Sequence, residues 1–258
     1  MSVFPALSPL LYALAATAFT WGVTALGALA VFFPAAGSSR LNAGFLGLGG
    51  GIMTAASFWS LLLPAIERCR AAGRSPLLGP MLGLAAGGAF LLLSDLILEK
   101  AAPARFGAEK RRSLLLVLSV TLHNFPEGMA IGVAFGAAVD PAALPAAIAL
   151  AVGIGIQNFP EGAAVALPLR KEGASKGRAF FLGQASGAVE PLGALSGVLF
   201  SALSETALPF LLTFAAGTML CCTVAELIPE SAKAGERLCA AAFLLGFLIM
   251  TLLDVALG

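Results

Sequence analysis

Long apolar runs alternate with short polar breaks from one end of the chain to the other. Eight runs stand out, at about 10–33, 41–66, 77–98, 113–139, 142–169, 179–203, 207–228 and 238–257. A helix needs about 20 mostly apolar residues to cross the hydrocarbon core of a bilayer. In that core only a helix or a closed barrel satisfies its own backbone, and runs this long are read as helices. The predicted fold is therefore all-α: one polytopic transmembrane domain over 1–258 with eight membrane-spanning helices. The breaks hold the turn-formers and most of the charge. Residues 34–40 and 204–206 read as short turns, Asp140-Pro141 as a tight break, 67–75 as a polar loop, and 99–112 and 170–178 as basic loops. The second run is dense in glycine, at Gly44, Gly47 and Gly49 to Gly51, and small residues let helix backbones approach closely.

Eight spans place both termini on one side. With the termini outside, the inner loops carry Arg40, Lys100, Arg105, Lys110, Arg111, Arg112, Arg170, Lys171, Lys176, Arg178, Lys233 and Arg237, and the outer loops only Arg68, Arg70 and Arg74. Twelve against three favours extracytoplasmic termini, because cytoplasmic loops collect Lys and Arg. Composition agrees with a membrane protein: 11% of residues are charged, against about a quarter in soluble domains. The net charge of +1 says little about partners, and no Lys/Arg stripe points to nucleic acid. No basic region precedes the first run, which argues against a cleaved signal peptide. Cys69, Cys221, Cys222 and Cys239 form no C-x-x-C pair and read as small apolar fillers.

One short phrase occurs twice. His123-Asn124-Phe125-Pro126-Glu127-Gly128 lies in the fourth run, and Gln157-Asn158-Phe159-Pro160-Glu161-Gly162 in the fifth. Positions i and i+4 share a helix face, so His123 pairs with Glu127 and Gln157 with Glu161. A carboxylate in the bilayer interior costs on the order of a few kcal/mol. Glu127, Glu161 and Glu190 fall near the centres of three neighbouring runs, with no Lys or Arg in those runs to pair them. They must carry protons, line water or be neutralised by a cation. Pro126 and Pro160 deprive the carbonyls of Leu122 and Ile156 of their helical donors. Kinks are therefore expected in both helices beside the polar pairs, as at the midplane binding sites of transporters.

The donor types point to a divalent transition metal. His123 offers an imidazole nitrogen, Glu127 and Glu161 carboxylates, and Gln157 an amide oxygen. That mixture suits zinc and its neighbours better than calcium or magnesium, and two carboxylates balance one dication. Asn124, Asn158 and Glu190 are placed to complete an adjacent second site. Zinc is the first expectation for the ion, with cadmium, iron and manganese as alternatives. The bland reading makes His123 a hydrogen-bonded core residue and the amides interhelical glue; the conjunction of one histidine, two i+4 glutamates and a repeated phrase weighs against it. Asp95, Glu226, Glu230 and Asp254, near helix ends, are weaker candidates. A zinc hydrolase would need a general base and an open metal position, and the H-E-x-x-H pattern is absent; no enzyme is expected. A proton-coupled carrier of an organic solute is the alternative function.

On these residues, together with Glu190-Pro191 and the eight-run layout, the chain resembles the ZIP (Zrt- and Irt-like) metal transporters, bacterial members in particular. The resemblance implies a binuclear centre among the fourth, fifth and sixth helices. His123, Glu127, Gln157 and Glu161 would form its primary site, and Asn124, Asn158 and Glu190 would join the shared glutamates in the second. It further implies a homodimer in the plasma (inner) membrane. Helices 1, 4, 5 and 6 would move against 2, 3, 7 and 8 in an elevator-type cycle that brings the ion into the cytoplasm. Three positions depart from the family pattern. Asn158 stands where many members have a carboxylate, Ala225 where many have a histidine, and the loop at 99–112 lacks a histidine cluster.

Overall fold

The computed structural model describes residues 9–33, 39–101, 108–138, 143–203 and 206–257, and among them no strand occurs. Helix α1 is Pro9–Ala28 and closes in a 3-10 turn, Leu29–Phe32. Helix α2 (Ser39–Ala56) passes through a π-helical turn, Ser57–Leu62, into α3 (Leu63–Ala71). Helices α4 (Leu78–Ala101), α5 (Ala108–Ala137) and α6 (Leu144–Lys171) follow. Helix α7 (Lys176–Ala185) joins α8 (Glu190–Leu203) through a 3-10 turn at Ser186–Val189. Helix α9 (Leu208–Cys222) joins α10 (Ile228–Ala232) through a second π turn, Thr223–Leu227, and α11 (Glu236–Leu257) ends the chain's described part.

All-helical architecture is as the apolar pattern predicts. Six stretches among the described residues are long and apolar enough to cross a membrane: Pro9–Phe32, Arg40–Ala71, Leu78–Lys100, Leu144–Lys171, Leu208–Ala232 and Glu236–Ala256. The runs expected at 113–139 and 179–203 are also helical, the first as far as Ala137, but fall outside that set. Helix α5 carries the first polar phrase, and the α7–α8 stretch is interrupted at Ser186–Val189. Several expected loops are shorter than the charge pattern implies. Residues 67–71 still belong to α3, and Arg170 and Lys171 form the last turn of α6, where cations complement the carbonyl end of a helix. Of the breaks expected at 34–40, 99–112, 140–141 and 204–206, residues 34–38, 102–107, 140–141 and 204–205 lie outside the described residues, while 39–40 open α2, 99–101 end α4 and 108–112 open α5.

Four prolines interrupt the helical hydrogen-bond ladder in two ways. Helices α5 and α6 continue as α-helix through Pro126 and Pro160. π turns precede Pro64 and Pro229, each in the first turn of the helix that follows. A proline has no N–H to give the preceding turn, and a wider turn is one way to absorb the lost bond.

Packing divides the helices into two groups. The most extensive pairings are α5 with α8 and α1 with α6 in one, and α2 with α11 and α4 with α9 in the other. The groups meet mainly where α6 lies on α2 and α5 lies on α9. The last residue of each repeated phrase enables this. A Cβ on Gly128 would fall 2.6 Å from Glu190 Cα and 2.7 Å from its carbonyl carbon, and one on Gly162 would fall 2.9 Å from the carbonyl carbon of Thr24. All three distances are closer than a methyl group tolerates. Glycine therefore lets α8 lie against α5, and α1 against α6, at the level of the glutamates.

Candidate metal centre

Helix α5 supplies His123, Asn124 and Glu127, helix α6 supplies Gln157, Asn158 and Glu161, and Glu190 is the first residue of α8 after its 3-10 turn. All seven are buried. His123 retains 5% of its surface, Glu127 1% and Glu161 7%, and the remaining four retain none. These groups are thus turned inward, away from lipid. Phe125, inside the same phrase, is 36% exposed, so the phrase divides a polar inner face from an apolar outer one.

Hydrogen bonds tie the two phrases together. Gln157 Nε2 donates to Glu127 Oε1 at 2.9 Å, across α5 and α6. Asn158 Nδ2 donates to Glu190 Oε1 at 2.8 Å and to the Thr20 carbonyl at 3.3 Å. The Thr20 hydroxyl donates to the other oxygen of Glu190. Each amide therefore spends its N–H on a neighbour and keeps its oxygen free. Five buried oxygens at the centre have no hydrogen-bond partner: Asn124 Oδ1, Glu127 Oε2, Gln157 Oε1, Asn158 Oδ1 and Glu161 Oε1. Buried polar atoms are nearly always paired. Among the described residues, only Asn124 Nδ2 and Asp254 Oδ2 share this condition outside that group of oxygens. A concentration of unpartnered oxygen lone pairs is the chemistry that receives a cation.

Residues 99–254 match the family described as ZIP Zinc transporter. The chain belongs to the ZIP family. It is 36% identical to the human zinc transporter ZIP11 over 97% of this chain and 98% of the relative. It is 41% identical to the zinc transporter GufA of Myxococcus xanthus over 91% and 94%. It is 40% identical to the zinc transporter ZIPB of Bordetella bronchiseptica over 96% and 82%. Family membership and the apolar helices together make the chain an integral, multi-pass membrane protein that transports metal ions. ZIP proteins are transporters, so the chain is not an enzyme.

The surroundings of His123 in this ZIP protein extend beyond the two phrases. Its Nε2 lies 3.3 Å from Glu226 Oε1 and 3.8 Å from Asp95 Oδ1. Ser119, one turn earlier on α5, donates to Glu226 at 2.9 Å and to Asp95 at 3.2 Å. Two of the weaker sequence candidates, Asp95 of α4 and Glu226 of the α9–α10 stretch, are therefore gathered at the histidine. Glu230 is not: it pairs with Lys233 at the surface. Asp254 accepts from Ser60 at 2.7 Å, across α11 and the first π turn.

Cys222, expected as an apolar filler, has its Sγ 3.3 Å from His123 Nδ1. Thr20 and Ser119 escaped notice in the sequence. Thr20 had a signal: Thr17, Thr20 and Thr24 repeat at three and four residues within an otherwise apolar run, and all three are fully buried. A hydroxyl stripe on one face of a membrane helix marks an interior partner.

Proposed function

We propose that this protein carries zinc across the plasma membrane into the cytoplasm, and that the ion is held by His123, Glu127, Gln157 and Glu161. Asn124, Asn158 and Glu190 form a second, adjacent position that shares the two glutamates. The observation that carries this reading is the set of five buried, unpartnered oxygens on α5 and α6. Two carboxylates and an imidazole beside them offer a divalent ion charge balance and a borderline-soft donor. The relatives' names as zinc transporters support zinc as the ion. No Lys or Arg side chain is buried among the described residues, so nothing there competes with a cation for the glutamates, or would hold an anionic organic solute.

The rest of the cycle follows the same reading. Eight helices cross the membrane with both termini outside, and α5 and α6 bend at Pro126 and Pro160. The group of α1, α5, α6 and α7–α8 slides as a unit against α2, α4, α9 and α11. The packing division supports this, because the ligands of the proposed centre all belong to the first group. Two copies form a homodimer.

The test is zinc uptake into proteoliposomes containing a zinc-sensitive dye, with the parent, His123→Ala and Glu127→Ala compared. Loss of uptake in both variants is expected; undiminished uptake in both overturns the assignment. Protons compete with the metal for imidazole and carboxylate ligands, so uptake is expected to fall several-fold as the outer solution is taken from about pH 7.5 to about pH 5.5. A flat profile over that range would place the ion elsewhere.

Asn158 gives a second check. Asn158→Asp replaces the amide that donates to Glu190 by a second carboxylate. Like charges at hydrogen-bond distance repel when both are ionised, so the metal-free variant is expected to melt below the parent. Added zinc is expected to raise its melting temperature by more than the parent's, because the second position gains an anionic ligand. Equal shifts in the two proteins would separate Asn158 from the metal.

A further inference from the structure

Four sulfur- or nitrogen-bearing side chains converge on the α9 side of the proposed centre. One small cavity is lined by Met53, Leu91, His123, Glu127, Thr218, Met219 and Cys222. Three of these seven carry sulfur, one is the histidine, and one is a glutamate of the repeated phrase. Met53, Met219 and Cys222 are buried to 4% exposure or less. Glu127, at 1% exposure, has its Oε2 unpartnered. The cavity is thus lined by a histidine, a cysteine and a glutamate that has one oxygen unpartnered.

The histidine is oriented for this. Its Nε2 faces two carboxylates, Glu226 at 3.3 Å and Asp95 at 3.8 Å. A carboxylate accepts, so the proton of the neutral imidazole belongs on Nε2. A hydrogen bond to one ring nitrogen sets which nitrogen is left to bind a metal. The lone pair then sits on Nδ1, the atom 3.3 Å from Cys222 Sγ. Two ligands around tetrahedral zinc, one nitrogen and one thiolate sulfur, stand about 3.5 Å apart given ordinary bond lengths. The observed separation needs a shift of only a few tenths of an ångström to take an ion between them.

We propose that Cys222 is a soft ligand of the transported ion, acting with His123 Nδ1 and Glu127, and that it tilts this transporter toward thiophilic divalent ions, cadmium ahead of zinc. The proposal rests on the metal centre assigned above and adds a ligand to it. Coordination releases the thiol proton, so that the thiolate is the donor. Met53 and Met219 line the same wall with thioethers, which suit soft ions; Met53 Sδ also accepts from Thr223 at 3.7 Å. Cys222 belongs to α9, in the other helix group, whereas His123 and Glu127 belong to α5. The sulfur therefore reaches the ion only while the two groups stand in this relative position, and it lets go when they slide.

The test uses the purified full chain loaded with cobalt, a spectroscopic stand-in for zinc, and proteoliposomes given cadmium and zinc in competition. The parent is expected to show a near-ultraviolet sulfur-to-cobalt charge-transfer band. A variant with Cys69, Cys221 and Cys239 all changed to serine is expected to keep the band, and Cys222→Ala to lose it. Cys222→Ala and Cys222→Ser are both expected to lower the cadmium-to-zinc uptake ratio about tenfold, the lower end of what loss of a metal-site partner does to affinity. A band that survives Cys222→Ala overturns the proposal, as does a parent that binds cobalt stoichiometrically without the band. In the latter case the metal centre stands and only the sulfur ligand falls. A parent that neither binds nor transports metal defeats both.

Discussion

Glu127→Ala is expected to lower zinc uptake by about 100-fold, with protein still present in the membrane. The carboxylate is 1% exposed, accepts from Gln157, and keeps its second oxygen unpartnered. On the proposed assignment, removing it takes away one of the two negative charges that neutralise the ion. It also leaves Gln157 Nε2 without its acceptor and opens a hole between α5 and α6. Hydrogen bonds to charged groups contribute about 1.5–3 kcal/mol each, and each 1.4 kcal/mol is a factor of about ten in affinity. Glu127→Gln separates ligand loss from fold loss. The amide keeps the shape and an oxygen for Gln157, and it removes a buried charge. Replacing buried charge by a neutral group of like volume is often neutral or stabilising. Glu127→Gln is therefore expected to melt at or above the metal-free parent while uptake falls nearly as far as in the alanine variant. If Glu127→Gln instead transports like the parent, the carboxylate is part of the packing and not of the pathway.

Much of the centre is legible in the sequence because it is local. His123 with Glu127, and Gln157 with Glu161, are separated by one helical turn, and hydropathy alone places them in helix interiors. Seven charged or polar residues named from the pattern are all buried in the structure. The inference needed only that membrane helices point costly groups inward. Helix existence was equally plain. The ends are less so, because the hydropathy pattern marks a loop wherever charged residues begin. At Glu67, Arg68 and Arg70 the helix simply continues into polar residues, because a membrane helix can project past the hydrocarbon before it stops.

What the sequence hid is the set of contacts that cross between helices. Cys222 meets His123 across 99 positions and Glu226 meets Ser119 across 107. No periodicity along one helix encodes which face of another lies opposite. The same holds for Thr20, which reaches Glu190 across 170 positions. A cysteine in an apolar run is as good a filler as an alanine until a neighbour gives its sulfur something to hold. The division into two helix groups was likewise an implication of family resemblance and not of pattern. Its physical trace is the glycine placement, which lets particular pairs of backbones touch.

Gly128→Ala is expected to destabilise the protein by about 3 kcal/mol, the upper end of ordinary overpacking, and to abolish uptake with it. The added methyl would meet the backbone of Glu190, 2.6 Å from its Cα and 2.7 Å from its carbonyl carbon. A side chain in the way can rotate, whereas a backbone inside a helix moves only if the whole helix moves. Helix α8 would have to back away from α5, and Glu190 begins that helix. Its bonds to Asn158 and Thr20 would break as it went. Gly162→Ala has the same effect on the other side, where the methyl meets Thr24 on α1. Gly44→Ala is the control. It lies within α2 with nothing inside 4 Å of its added Cβ, and alanine favours a helix over glycine by about 1 kcal/mol. Melting followed in detergent is expected to fall sharply for Gly128→Ala and Gly162→Ala and to hold or rise for Gly44→Ala. If all three melt together, close backbone contact at the phrase is not what seats the glutamates, and their burial must come from the lipid-facing packing around them.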